Sequence, residues 1–171
     1  MHRHPVTMAD AVTPANIPAK LGCAAAYVNG EFEWTRQELA RFPRVIRISV
    51  LPDPKAAAKA RALDVENHDA TPADAPAFVR YRQGIHHRDA TIYCNRSTLP
   101  AVLEHLGDLQ PRLWIATLDG RAWTPDELAI DIAAAEKIPV SPERIWAVQY
   151  VTLAPGYDLS LVYGEHDFDR R

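Results

Sequence analysis

The stretch ARALDVENHDATPADAP, residues 60–76, decides how this chain is read. Residues 62–66, ALDVE, have the length and composition of a short buried strand. Thr71-Pro72 then gives a cap followed by proline, the start that a helix over 71–84 would use, and Gly84 suits its end. A strand that leads into a helix is a βα unit, and the unit recurs in both directions along the chain.

Before it come a strand at 23–28, a helix at 35–42 with Thr35 and Glu38 as a capping box, a β-branched strand at 44–51 and an alanine-rich helical turn at 53–62. After it come a strand at 90–95, a helix at 97–107 with Ser97 as cap and Gly107 as stop, a strand at 112–118 and a second Thr-Pro helix at 124–137. Strands at 144–151 and 158–164 close the series with no helix between them. Repeated βα units imply an α/β protein with a mainly parallel sheet covered by helices; an open doubly wound sheet and a (β/α) barrel both fit. Residues 1–20 carry three prolines and little periodicity. They read as an N-terminal arm, available to a protein partner or to self-association, with one domain over 21–171.

Composition narrows the function. The chain has 171 residues, 47% hydrophobic and 24% charged, with a net charge of −3. That balance and the lack of a basic stripe argue against nucleic acid as partner. No run reaches transmembrane length, and the N-terminus lacks the apolar core of a signal peptide, so the expectation is a cytoplasmic protein, or a virion protein if phage-encoded. Neither a G-x-G-x-x-G nor a Walker A motif occurs, which disfavours a nucleotide cofactor, and no other cofactor is implied. Cys23 and Cys94 lie in apolar stretches and read as buried free thiols. His2, His4, His86 and His87 have no third ligand at metal spacing, so no metal site is expected. No G-x-S-x-G elbow surrounds Ser97 or Ser160, which argues against a serine hydrolase.

In parallel α/β folds, functional groups gather at the carboxyl ends of the strands. Asp64 and Glu66 are two apart on a strand and share a face, with Val65 on the other. Two acids confined in one mouth raise each other's pKa, which is how a carboxyl becomes a general acid near neutral pH. Taken alone, the spacing favours two solvated charges, or Asp64 capping a neighbouring turn, over a site. Asn29, Asn95 with Tyr93, and Asp158 with Ser160 bring polar groups from other strands toward the same end. Tyr27, Tyr93, Trp114, Trp146, Tyr150 and Tyr157 lie in or beside strands, either as core or as a platform on which sugar rings stack.

The motifs ALDVEN (62–67), ATIYCNRSTLPAV (90–102), LWIATLDG (113–120), IWAVQY (145–150) and YDLSLV (157–162) together resemble the glycoside hydrolase family 25 lysozyme-like barrels, and more closely the glycoside-hydrolase-like proteins of actinobacteria and their phages. The resemblance implies an irregular or truncated (β/α) TIM-like barrel acting on cell-wall polysaccharide between N-acetylmuramic acid and N-acetylglucosamine. It implies Glu66 as proton donor, Asp64 and Asp158 as assisting carboxylates, and Tyr93, Gln149 and Tyr150 in the substrate site, to which the strand-end polar groups and aromatics add Tyr27, Asn95 and Trp114. It also implies an acid at the end of the first strand, where this reading finds Asn29 instead. An amide there can hold an N-acetyl group or a water, but it cannot balance an oxocarbenium-like charge. Two functions therefore stay open: a muramidase-type glycosidase working through two carboxylates, or a catalytically degenerate barrel that binds carbohydrate or serves in assembly, as a virion component would.

Overall fold

The computed structural model describes residues 4–53, 58–84 and 90–163. Eight strands close into one barrel in chain order: β1 Val6–Asp10, β2 Cys23–Tyr27, β3 Arg44–Ser49, β4 Ala62–Val65, β5 Thr91–Asn95, β6 Arg112–Ala116, β7 Ile145–Leu153 and β8 Tyr157–Val162. Neighbours from β1 to β7 pair in parallel, while β8 runs antiparallel to both β7 and β1. The described residues form four α-helices: α1 Arg36–Leu39, α2 Ala75–Gly84, α3 Leu99–Leu106 and α4 Pro125–Glu136. The fold is an α/β barrel with a mixed, mostly parallel sheet, and these helices are too few for the strand-by-strand alternation of a full TIM barrel.

The N-terminal segment corrects the sequence reading. Residues 1–3 lie outside the described residues, and the rest of 1–20 is not a separate arm, because Val6–Asp10 is a barrel strand lying between β2 and β8. The residues after β1 are pinned to the same body. Arg41 donates to the carbonyls of Pro14 (2.7 Å) and Ile17 (3.2 Å), and Trp34 Nε1 donates to the Ala11 carbonyl (3.3 Å). The prolines that give this segment its irregular look flank the strand and start a short 3-10 turn at Pro14–Asn16.

Local signals elsewhere account for the helix ends. Thr35 with Glu38 and Thr124 with Glu127 form reciprocal capping boxes. Ser97 does not cap α3: Thr98 precedes the helix, and the Ser97 hydroxyl donates to Asn95 Oδ1 instead. Of the alanine-rich turn expected at 53–62, residues 54–57 lie outside the described residues, and 58–59 form a turn.

Strand alternation sorts the side chains into an interior core and two outer ones, the smaller of which packs Ala9, Ala24, Ala26 and Val45 against Ile17, Trp34 and Phe42. Leu63, Val65, Ile92, Cys94, Leu113 and Ile115 face outward and pack under Phe78, Val79, Leu99, Val102, Leu128 and Ile132. Met8, Cys23, Ala25, Ile46, Ile48, Ala62, Trp114, Trp146, Ala147 and Val162 fill the barrel interior. Both cysteines are free and buried. Burial raises the Cys23 thiol to about 11 and the Cys94 thiol further still. The register of β6 on β7 shifts at Trp146, so Trp146 and Ala147 both sit in the interior core. This local fault lets a large indole enter beside Trp114.

Candidate functional site at the carboxyl mouth of the barrel

The mouth is built from strand ends. On β1, Met8 fills the interior, so Asp10, two residues on, points the same way at the strand's carboxyl end. On β4, Asp64 shares the inner face with Ala62, and Glu66 follows it just past the strand. Because β8 is antiparallel to its neighbours, its beginning lies where theirs end, and Asp158 comes up directly opposite Asp10. Tyr93 and Asn95 arrive on β5, Gln149 on β7 and Tyr27 on β2.

Gln149 sits between the acids. Its Nε2 donates to both Asp10 oxygens, each at 3.2 Å, and to Asp158 Oδ2 at 3.1 Å. Its Oε1 accepts from the Tyr93 hydroxyl at 2.7 Å. Tyr93 is in turn held edge-on against Trp114, with ring centres 4.8 Å apart, and Trp114 Nε1 donates to Ser160 Oγ at 2.9 Å. Asn95 is oriented from behind: its Oδ1 accepts from Thr98 N (2.9 Å), Thr98 Oγ1 (2.8 Å) and Ser97 Oγ (2.7 Å). Its NH2 is not used in those bonds, and Tyr93 and Asn95 both favour the ionised form of Glu66.

The electrostatics follow from crowding acids in a dry place. Asp10 is 6% exposed; burial first, then the Asp158 charge, pushes its carboxyl well above the usual range, against the hydrogen bond from Gln149. Asp64 is 2% exposed and also well raised, by burial and then by Glu66, Asp69 and Asp10. Its Oδ1 is buried with no hydrogen-bond partner. Glu66 is half-buried and raised mainly by burial, with Asp69 and Asp158 adding to it and the Tyr93 and Asn95 hydrogen bonds opposing. Asp69 is raised by partial burial, against the charge of His68. Burial and these carboxylates also push the Tyr27 and Tyr93 phenols far up. The arrangement can hold a protonated carboxyl beside ionised ones at neutral pH, as general acid chemistry requires.

The structure thus gathers Asp64, Glu66, Asp158, Tyr27, Tyr93, Asn95 and Gln149, and leaves out three of the expected residues. Asn29 does not face the acids. Its Oδ1 accepts from Val50 N (3.0 Å) and its Nδ2 donates to Ser49 Oγ (2.8 Å), tying the end of β2 to the end of β3. Trp114 is 1% exposed and belongs to the interior core, so no sugar ring can stack on it. Tyr150 occupies a register shift of β7 on β8 and acts electrostatically on Tyr163, which packs against the outer core.

Two mouth residues escape a reading of the sequence. Asp10 ends a strand that looks like part of an arm, although Val6 and Met8 sit two apart around Thr7 as on one face of a short strand. Asp69 is set by the turn in which its N–H donates to the Glu66 carbonyl (3.2 Å), with His68 at φ 76°. No sequence signal marks it. Among the described residues, no three His, Cys, Asp or Glu side chains are arranged to hold a metal ion. His2, His86 and His87 lie outside the described residues, and His4 is exposed.

No family model and no curated protein matches this chain. Among solved structures it is similar to an uncharacterized B. stearothermophilus protein at 11% identity, over 92% of this chain and 95% of that one, with a TM-score of 0.40. A likeness of that size carries no argument about fold family or function. Also among the described residues, no helix is long and apolar enough to cross a membrane.

Proposed function

We propose that the barrel is a reduced (β/α) barrel of the TIM-like kind and that its mouth is a glycosidase site for cell-wall amino-sugar polysaccharide. The observation that carries this reading is Asp10. It supplies, at the end of the first strand and in register with Asp158, the carboxylate that is missing when Asn29 is assigned to that place.

Glu66 is the general acid. It is a raised carboxyl with access to solvent, and the charges of Asp69 and Asp158 add to burial in keeping it protonated, whereas Asp64 is buried. Glu66 transfers its proton to the glycosidic oxygen as the C–O bond breaks and the electron pair leaves on that oxygen. While Glu66 holds its proton, the single Tyr93 hydroxyl hydrogen goes to Gln149; once the proton has left, that hydroxyl can turn to the new carboxylate, which Asn95 also holds. Asp158, with Asp10 hydrogen-bonded to the same Gln149 amide, places negative charge near the developing oxocarbenium ion, and water adds to the anomeric carbon as a mouth carboxylate takes its proton.

The binding or virion reading draws in part on Asn29 and on an ordered N-terminal arm. In the barrel Asn29 joins two strands, and the arm is a strand. The test is to incubate the protein with purified walls and assay new reducing ends. Wild type should release them, and Glu66→Gln should lower the rate by about 10²-fold or more. Equal traces from the two proteins would exclude the enzyme, and wall co-sedimentation without cleavage would assign the binding role.

A further inference from the structure

Gln149 has the right chemistry to hold a sugar hydroxyl or an N-acetyl group, yet its hydrogen-bonding capacity is already used within the protein. It is 1% exposed. Its amide has two N–H hydrogens, and three carboxylate oxygens compete for them at 3.1–3.2 Å. The amide's two ends are almost the same shape, so packing alone would not choose between them. Turned the other way, Oε1 would face both carboxylates and repel them. That repulsion sets the sense of the amide, and on the far side the Tyr93 hydroxyl then donates to Oε1 at 2.7 Å and anchors it.

We infer that Gln149 is a positioning residue that draws Asp10 and Asp158 together across the β1–β8 seam, with Tyr93 anchoring the far end of its amide. Asp10 and Asp158 are opposed residues of an antiparallel pair, where two carboxylates would otherwise push apart. One amide bridging both makes them a unit. The bridge is part of a closed circuit: Asp158 to Gln149, Gln149 to Tyr93, Tyr93 against Trp114, and Trp114 to Ser160, which lies two residues from Asp158 on β8. The other titratable groups facing the pair are Glu66 and Asp64 from β4 and its end, Asp69 from the loop beyond, and Tyr27 from β2.

This inference deepens the glycosidase reading, but its test needs no substrate. Carbon-13 NMR of the side-chain carboxyls follows the Asp10 midpoint in wild type, Gln149→Met and Tyr93→Phe. Loss of the Gln149 donor should raise that midpoint by about half a pH unit or more. Tyr93→Phe, which keeps the ring against Trp114, should raise it in the same direction, because the amide is no longer held. An unmoved Asp10 midpoint in the folded Tyr93→Phe protein overturns the inference, even if Gln149→Met does not fold. On walls, Gln149→Met should lower kcat and leave KM unchanged; a rise in KM alone would make Gln149 a substrate ligand and overturn it.

Discussion

Asn29 and Asp10 stand at the ends of neighbouring strands, yet Asp10 alone of the two carries its side chain into the mouth. Asn29 is followed by Gly30 at φ 82°, where a Cβ would come within 2.5 Å of Val50 Cγ2. That close approach turns the chain at the end of β2 and directs the Asn29 amide onto Ser49 and Val50. Asn-Gly is a turn signal in its own right, so the dipeptide already favours a structural role. Asp64 carries another residue-scale consequence. Its folded pKa is raised, so its contribution to stability is present below the unfolded carboxyl range and is lost as pH rises through the folded value. Asp64→Asn should therefore be more stable than wild type at pH 7, by about 1 kcal/mol or 2–4 °C in melting temperature, with the difference closing near pH 3–4. Thermal melts across that range check it; a less stable variant at pH 7 would contradict the burial argument.

At the scale of elements, the outcome turns on β1. An arm could be cut without harm, but a strand that closes a barrel cannot. Removing residues 1–10 takes away the strand between β2 and β8 and leaves two unpaired edges, besides deleting Asp10. The truncated chain should lose its cooperative unfolding transition and aggregate; a soluble truncation with wild-type circular dichroism would speak against the barrel. The helices behave differently, because their boundaries are local. Thr35 with Glu38 and Thr124 with Glu127 close their capping boxes through contacts three residues apart, and such contacts are visible in sequence. Strand β1 has five residues, little propensity signal and partners at residues 23–27 and 157–162, so its identity rests on pairing that no local window contains.

For the whole molecule, the mouth and the surface respond to pH in opposite senses. Asp10, Asp64 and Glu66 have raised folded pKa values, so each stabilises the fold less as pH rises through that value. Glu38, Glu127 and Asp119 are lowered by hydrogen bonds from Thr35, from Thr124 and around the 117–123 loop, and they contribute stability that is lost as pH falls below the usual carboxyl range. Stability in urea should peak between about pH 4 and neutrality and decline above it. The Asp10→Asn, Asp64→Asn double variant should flatten the decline; an unchanged slope would place the cost elsewhere.

Strand alternation and helix caps act over a few residues, and they make several features legible without coordinates. The α/β class, the mainly parallel order of β2 to β7, the shared face of Asp64 and Glu66, and the arrival of Tyr93, Asn95 and Asp158 at one end all belong to that group. Other features exist only once the chain has closed on itself: residues 6–10 complete the barrel, Asp10 opposes Asp158, Gln149 bridges them, and Trp114 fills the interior where a sugar platform is expected. Each of those depends on register between strands far apart in the chain, and register is set by which faces can be buried together in the closed barrel.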